Sequence, residues 1–200
     1  MSTKKVYPMR RFVECALMVA IATALSLFEI ELPFGGGLTL CSMLPIILIS
    51  HRHGVVWGLA TSFTYSLIQL VLGLKNVSYG ETFVMAAGIV MLDYVVAYTV
   101  LGLSGVFNKV FRDQSKPTAV VVGVIVTFTL RFLCHLVSGA WIWDVWMPEE
   151  FMGMPMTNPW IYSALYNGWY MLGEMILSVI VVLLLYKPLG RYFRGEDLKK

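Results

Sequence analysis

Long apolar runs, separated by short polar connections, set the strongest limit on how this chain of 200 residues can fold. Hydrophobic residues make up 58% of the sequence and charged residues only 14%, and the mean hydropathy is +0.74. A soluble core of this size could not hide so much apolar surface, and about 20 apolar residues cross roughly 30 Å of hydrocarbon. We therefore predict an all-α integral membrane protein with one domain over residues 1–200. Its six predicted transmembrane helices lie at about 12–32, 38–50, 54–73, 82–107, 118–142 and 160–186.

The second run, 38–50, is too short to cross a bilayer unaided. It follows the triple glycine Gly35-Gly36-Gly37. Irregular backbone at membrane depth needs hydrogen-bond partners that lipid does not supply. We expect this glycine loop to dip into the protein rather than face lipid.

Basic residues are concentrated on alternate connections between the runs. Of the 15 Lys and Arg residues, only Lys75 lies in the other set of connections, which are acidic, and only Arg131 lies inside a run. Because Lys and Arg accumulate on the cytoplasmic side, this bias predicts an even number of spans with both termini in the cytoplasm. The other basic residues are Lys4, Lys5, Arg10, Arg11, Arg52, Lys109, Arg112, Lys116, Lys187, Arg191, Arg194, Lys199 and Lys200.

Several functional classes find no support in the sequence. The net charge of +3 reflects the oriented loops rather than a basic domain for nucleic acid. Cys15, Cys41 and Cys134 are scattered, so they form neither a disulfide framework nor a metal-binding spacing. The triplet at 51–53, His-Arg-His, fits a cytoplasmic turn better than a metal site. We predict no metal, no cofactor and no catalytic residues.

The fifth run contains two ionisable side chains, Arg131 and His135, which stand four positions apart and share one helix face. Such groups are costly at membrane depth unless they meet a partner or line a cavity, so they mark candidate binding sites. Two carboxylates in other runs, Asp93 and Glu174, are available as partners. We favour Glu174 for a structural ion pair with Arg131, whereas Asp93 fits either pairing or ligand contact. His135 is either a hydrogen-bonded core residue or a ligand contact.

Aromatic residues gather mainly around the outer ends of the fifth and sixth runs. Trp and Tyr are common at membrane interfaces, and that explanation applies to each of them singly. The alternative is a cage whose rings stack on a flat heterocycle and attract positive charge, with roughly 0.5–2 kcal/mol for each contact. The residues are Tyr94, Trp141, Trp143, Tyr162, Tyr166, Trp169 and Tyr170.

Small residues form a stripe on the first helix, where Ala16, Ala20 and Ala24 recur at every fourth position. Such a stripe lets another helix approach closely in lipid. The approaching helix belongs either to the same chain or to an external partner, and the spacing alone leaves both interpretations open.

Five segments, spread over nearly the whole chain, carry a resemblance to a known family. They resemble the thiamine-specific substrate-binding (S) components of energy-coupling factor (ECF) transporters, a bacterial family of six-helix vitamin-capturing proteins. The segments are the alanine stripe after a basic N-terminus, Met43-Leu-Pro45-Ile-Ile-Leu before a basic turn, Leu92-Asp93-Tyr94-Val-Val-Ala, the stretch from Arg131 to Trp143, and Tyr162-Ser-Ala-Leu-Tyr-Asn167-Gly168.

The resemblance implies a thiamine-binding subunit of the bacterial cell membrane that is not an enzyme. It also implies delivery of the vitamin through a complex with a transmembrane coupling subunit and two ATPase subunits. Thiamine offers a flat aminopyrimidine, which favours stacking and paired hydrogen bonds, and a thiazolium cation, which favours anions and aromatic faces. The family's pyrimidine-stacking tryptophan falls on Trp143. The implied substrate-binding residues are Asp93, Tyr94, His135, Trp143, Tyr162 and Asn167.

The chain departs from the family pattern at two places. The family can place a glutamate and a tryptophan just before the second helix, where this chain has Gly36 and the segment Thr39-Leu40. Asp93 is also one methylene shorter than the family's glutamate. We expect these differences to affect how tightly thiamine is held more than which substrate is bound.

Two other mechanisms compete with this interpretation. In a secondary carrier, Asp93, Arg131 and His135 would relay protons, and transport would need no ATPase partner. In a membrane-embedded enzyme, His135 would act as a base. The sequence shows no His-Glu-x-x-His motif, nucleophile elbow or paired catalytic carboxylates, so we disfavour the enzyme.

Overall fold

The computed structural model describes residues 8–111, 113 and 115–199. Lys4, Lys5, Arg112 and Lys200, four of the residues on which the predicted orientation depends, lie outside the described residues. The described chain is mostly helical. Its main helices are α1 (Pro8–Ser26), α2 (Leu44–His53), α3 (Val55–Leu72), α4 (Phe83–Val110), α5 (Thr118–Trp141) and α6 (Pro159–Phe193).

At least four of these helices, α3 to α6, are long and apolar enough to cross a membrane. Helix α2 has ten residues and rises about 15 Å, which is half of a typical hydrocarbon core. Helix α1 has 19 residues, but Arg10, Arg11 and Glu14 occupy its first half. The structure is therefore that of a mostly helical membrane protein.

Two short β-hairpins interrupt the helical pattern. In the first, β1 (Glu29–Glu31) pairs antiparallel with β2 (Gly37–Thr39), and in the second, β3 (Glu150–Phe151) pairs with β4 (Met154–Pro155). The all-α prediction and the limits predicted for the first two spans, 12–32 and 38–50, therefore need correction. Helix α1 ends at Ser26 and α2 begins only at Leu44.

Two glycines in the turn of the first hairpin explain why the chain forms a hairpin here instead of continuing α1. Gly35 and Gly36 have φ angles of +83° and +73°, which residues with a side chain rarely adopt. A Cβ atom on Gly35 would approach the Tyr166 ring, and one on Gly36 would collide with Tyr170, so the turn packs directly against α6. The glycine loop thus contacts protein, as the sequence predicted, but it does so as part of a hairpin.

Helix α4 is irregular where it passes the middle of the molecule. Its segment Ile89–Val95 is π-helical, and Val100–Val106 is a 3₁₀ helix. π-helical turns shift the face that the following side chains occupy and are frequent at functional sites. Asp93 and Tyr94 lie within the π-helical turn, so the irregularity sets their direction.

Helices α1, α2, α3 and α5 share a buried core with parts of α4 and α6. Met43, which precedes α2, and Ile46 and Ile47 of α2 meet Tyr65 of α3 and Val124 of α5 there. The short helix α2 therefore contributes mainly interior packing. Residues Leu74–Val77 form a further single turn, and 3₁₀ turns lie at Asp144–Trp146 and Glu196–Lys199.

Both ends of the described chain lie on one side of the molecule, where Arg10 Nη2 donates to Asp197 Oδ2 over 2.7 Å. Ser26 at the end of α1, Ser42 just before α2 and Gln69 near the end of α3 lie toward the opposite side, around a cavity. The helices thus separate a charged side, where both ends of the described chain lie, from a side that encloses the cavity.

Candidate functional site

The cavity has a volume of about 660 Å³ and is covered in part by the first hairpin. Residues from α1, α3, α4, α5 and α6 contribute to its wall. The volume falls within the range of typical small-molecule sites, and the mixed polar and aromatic lining suits an organic ligand with several hydrogen-bonding groups. All six predicted substrate-binding residues line this one cavity, namely Asp93, Tyr94, His135, Trp143, Tyr162 and Asn167.

Asp93 lies between His135 of α5 and Trp143 of the loop after it. Its Oδ2 accepts a hydrogen bond from Trp143 Nε1 over 3.0 Å, and its Oδ1 lies 3.3 Å from His135 Nδ1. His135 Nε2 is buried and has no hydrogen-bond partner among the described residues. If Nδ1 donates to Asp93, Nε2 of the neutral ring is an acceptor that a ligand amine could satisfy. The arrangement therefore offers a charged acceptor and an unused imidazole nitrogen side by side.

Tyr94 lines the cavity, but its hydroxyl group forms hydrogen bonds within the protein. The hydroxyl donates to the carbonyl oxygen of Gly73 over 3.0 Å and accepts from Asn76 Nδ2 over 2.9 Å. These bonds fix the turn between α3 and α4 against the π-helical segment. Tyr94 is 7% exposed, and its hydroxyl is already bonded within the protein. The predicted contact of Tyr94 with a ligand would therefore be made by its ring.

Asn167 is also committed to bonds within the protein. Its Nδ2 donates to the carbonyl oxygen of Ser163 over 3.0 Å and lies 3.3 Å from that of His135, and its Oδ1 accepts from the Tyr170 hydroxyl over 2.8 Å. Gly139 makes this close approach of α5 and α6 possible, since a Cβ atom there would collide with Ser163. Asn167 thus positions the backbone of His135 and the ring of Tyr170.

Aromatic rings close two sides of the cavity. Trp143 meets Tyr79 edge-on at a centroid distance of 6.1 Å, and Tyr162 and Tyr166 lie 5.8 Å apart. Phe151 of the second hairpin packs edge-on against Tyr162 at 5.3 Å. These edge-on and tilted contacts leave ring faces for a flat ligand.

The predicted aromatic group divides between cavity and surface. Trp141 is 59% exposed and Trp169 is 40% exposed, and neither lines the cavity, so both fit the interfacial position that the sequence offered as the alternative. The members that line the cavity are Tyr94, Trp143, Tyr162, Tyr166 and Tyr170.

Arg131 and Glu174 line a deeply buried part of the wall. Arg131 Nη1 lies 3.6 Å from Glu174 Oε2, and its guanidinium stacks 4.4 Å from the centroid of Tyr98, whose hydroxyl accepts a hydrogen bond from Nη2. Nη1 also lies 2.9 Å from the Met43 sulfur. The geometry matches the ion pair that the sequence favoured, and it leaves Asp93 free of Arg131.

Sequence reasoning missed the contribution of the first hairpin. Thr39 of β2 donates a hydrogen bond to Glu174 and is 2.8 Å from the Ser42 hydroxyl. Glu29 of β1 also lines the cavity, although the predicted first span, 12–32, included it as a helical residue. The alternation of acidic and apolar residues at 29–32, Glu-Ile-Glu-Leu, was the signal for a strand with a polar face.

The cavity wall has an excess of acidic groups. Three carboxylates, those of Glu29, Asp93 and Glu174, face a single guanidinium, that of Arg131. Arg131 is closest to Glu174, so two carboxylates have no basic partner other than the imidazole of His135 within the described wall. This charge distribution favours a cationic ligand.

Comparisons with known proteins agree over nearly the full chain. A family model described as thiamine transporter protein matches residues 12–194. The thiamine transporter ThiT of Bacillus subtilis is 32% identical over 196 residues, which cover 93% of this chain and 95% of that protein. The thiamine transporter ThiT of Lacticaseibacillus paracasei is 27% identical over 200 residues, covering 93% and 91%.

A solved structure supports the fold independently of these sequence matches. The structure of ThiT from Listeria monocytogenes superposes with a TM-score of 0.71 at 22% identity, covering 92% of this chain and 97% of that one. The overall fold described above is therefore similar to one already seen in a solved protein.

Proposed function

The chain belongs to the thiamine transporter protein family, and we propose that it binds thiamine in the cavity around Asp93 and delivers it as the S component of an ECF transporter. It is a multi-pass membrane transporter rather than an enzyme. The observation that carries the binding proposal is the contact of Asp93 with both His135 and Trp143 in an acidic, aromatic cavity.

The two halves of thiamine fit different features of the wall. The aminopyrimidine has a flat ring and an amine, which suit stacking on Trp143 and donation to Asp93 or to His135 Nε2. The thiazolium is a permanent cation, which suits the excess of carboxylates. Glu29 supplies one of these carboxylates from the hairpin, in the region before α2 where the chain departs from the family pattern.

Purified protein is expected to bind thiamine without any partner and to show quenched tryptophan fluorescence. Trp143→Ala should weaken binding at least about tenfold, or roughly 1.4 kcal/mol, because both ring stacking and buried area are lost. Trp141→Ala is the matched control, since this neighbouring indole is 59% exposed and does not line the cavity. A fluorescence titration measures both variants. Binding of riboflavin or biotin in preference to thiamine would refute the assignment.

We further infer six spans with both termini in the cytoplasm, which places the cavity in the outer half of the membrane. The basic loops support this orientation, and the joined ends of the described chain are consistent with it. A cysteine introduced at exposed Glu149 should react with an impermeant maleimide from outside intact cells. A cysteine at Lys116 should react only after the cells are opened. Labelling in the reverse order would overturn the orientation.

The exposed face of α1 supports docking on a coupling subunit. Ala16, Ala20 and Ala24 are all exposed on the described chain, whereas Cys15 and Val19 are buried. The stripe therefore faces outward and is not covered by the described helices, which favours an external partner over internal packing. We propose that the transmembrane coupling subunit, driven by two ATPase subunits, lies against this face.

A further inference from the structure

Five residues form an ion cluster at the side of the molecule where both ends of the described chain lie, and we call it the terminal ion cluster. The five are Arg10, Glu14, Arg52, His53 and Asp197. They come from α1, from the last turn of α2, and from the segment after α6. None of them lines the cavity, and the proposed function assigns them no role.

Arg52 is the centre of the terminal ion cluster, and its guanidinium uses all five N–H donors. Nε and Nη2 donate to the two Glu14 oxygens at 2.6 and 3.1 Å. Nη1 and Nη2 donate to the two Asp197 oxygens at 2.6 and 2.7 Å, and Nη1 also reaches the carbonyl oxygen of Tyr192 at 3.0 Å. The side chain is 5% exposed. Two bidentate pairs on one guanidinium fix both the direction and the distance of their partners.

The remaining members complete the charge balance. Arg10 donates to both carboxylates, and His53 Nε2 lies 2.7 Å from Glu14 Oε2. Burial lowers the pKa of His53 below its ordinary value, so the imidazole is neutral at physiological pH and donates through Nε2–H. Two cations therefore match two anions, and the cluster holds segments together rather than presenting a net charge to a partner.

The position of Glu14 on α1 connects the cluster to the alanine stripe. At 3.6 residues per turn, Glu14 and Ala16 point roughly 200° apart around the helix. Glu14 points inward to Arg52, while Ala16 and Ala20 face outward. Helix α1 packs mainly against α2 and α3, so it lies at the edge of the bundle and needs an anchor for its rotation. Anchoring Glu14 on the inner side turns the stripe outward.

We propose that Arg52 is a positioning residue for docking, which fixes the rotation and height of α1 and so presents the alanine stripe to the coupling subunit. The inference rests on the proposed function. A stripe of small residues permits close helix approach only when the helix has a fixed rotation, because a rotated helix would present the large exposed side chains beside the stripe, such as Phe12 and Leu17, instead. Arg52 therefore contributes to transport through Glu14 and without contact to thiamine.

The test compares thiamine affinity, co-purification with the coupling subunit and uptake in cells that express the ATPase module. Arg52→Gln should lower co-purification and uptake at least about tenfold while thiamine affinity stays within about twofold. Glu14→Gln should reproduce this pattern. Asp197→Asn should have a smaller effect, because it weakens only the Arg10 contact of α1 and leaves the bidentate Arg52–Glu14 link intact. Arg191→Gln is the control, since that side chain is 65% exposed and outside the cluster.

The outcomes separate the inference from the proposed function. Uptake by Arg52→Gln within twofold of wild type would overturn the inference, and so would a thiamine affinity that falls as far as uptake does. Loss of uptake with Asp197→Asn but not with Glu14→Gln would assign the role to the C-terminal segment instead. If Arg52→Gln does not reach the membrane, Glu14→Gln decides alone. Failure of the proposed function appears in wild type, as absent thiamine binding or as uptake without ATPases.

Discussion

Asp93→Asn should weaken thiamine binding about a hundredfold, or roughly 2.7 kcal/mol, as measured by fluorescence titration or calorimetry of the purified protein. The carboxylate accepts from Trp143 Nε1 and contacts His135 Nδ1 at the same time. An amide has one acceptor oxygen and would turn its NH₂ group toward one of these donors. The variant also removes a negative charge from a cavity that is proposed to hold a cation.

Two matched variants show whether the charge at Asp93 is what matters. Asp93→Glu keeps the carboxylate and adds one methylene, as in the family pattern, and should keep thiamine affinity within about tenfold of wild type. Asp144→Asn changes the same groups at an exposed position outside the cavity and should leave affinity unchanged. If Asp93→Asn bound thiamine within threefold of wild type, the proposed centre of the site would be wrong.

The fifth helix shows how far the sequence could predict the site. A polar pair within an apolar run had to share one helix face, and Arg131 and His135 do line the same cavity. The cost of burying a charge also predicted a carboxylate partner, and Glu174 lies 3.6 Å from Arg131. The predicted family is confirmed by the match over residues 12–194. The prediction of the family depends on the resemblance of five segments, whereas the shared face and the ion pair follow from helical periodicity and local chemistry, which a sequence contains.

The first hairpin shows where the sequence failed. Averaging hydropathy over 12–32 extended a helix through Glu29 and Glu31, although their alternation with apolar residues is typical of a strand. The π-helical turn at Asp93 left no comparable signal, because it depends on how α4 packs against its neighbours. The direction in which a side chain points within a cavity likewise depends on tertiary packing.

Asn167 illustrates the same limit at a single residue. The family pattern predicted a ligand contact, and the residue does line the cavity. Its amide, however, bonds to Ser163, to the His135 backbone and to Tyr170. Replacing it would therefore disturb thiamine binding through the positions of His135 and Tyr170. A sequence pattern can therefore predict that a residue belongs to the site, but it does not show which of its atoms contact the ligand.

Ala20→Trp should abolish ATP-driven thiamine uptake while the purified variant binds thiamine almost normally. Ala20 lies in the middle of the outward-facing stripe, about 9 Å along the helix axis from Ser26 at the cavity. A bulky indole there blocks close approach of a second helix, whereas the cavity wall is untouched. Uptake of labelled thiamine in cells that express the coupling subunit and the ATPases measures the first effect, and fluorescence titration measures the second.

Ile180→Trp is the matched control, because this side chain is 47% exposed on α6 and lies away from the stripe. Its uptake should equal that of wild type, which shows that an added indole on the surface is harmless in itself. If the stripe were internal packing, Ala20→Trp would overpack the protein and lower its thermal stability and thiamine affinity together. Normal uptake by Ala20→Trp would remove the case for a docking face. Uptake by wild type in cells without any ATPase partner would instead favour a secondary carrier, in which Asp93, Arg131 and His135 relay protons.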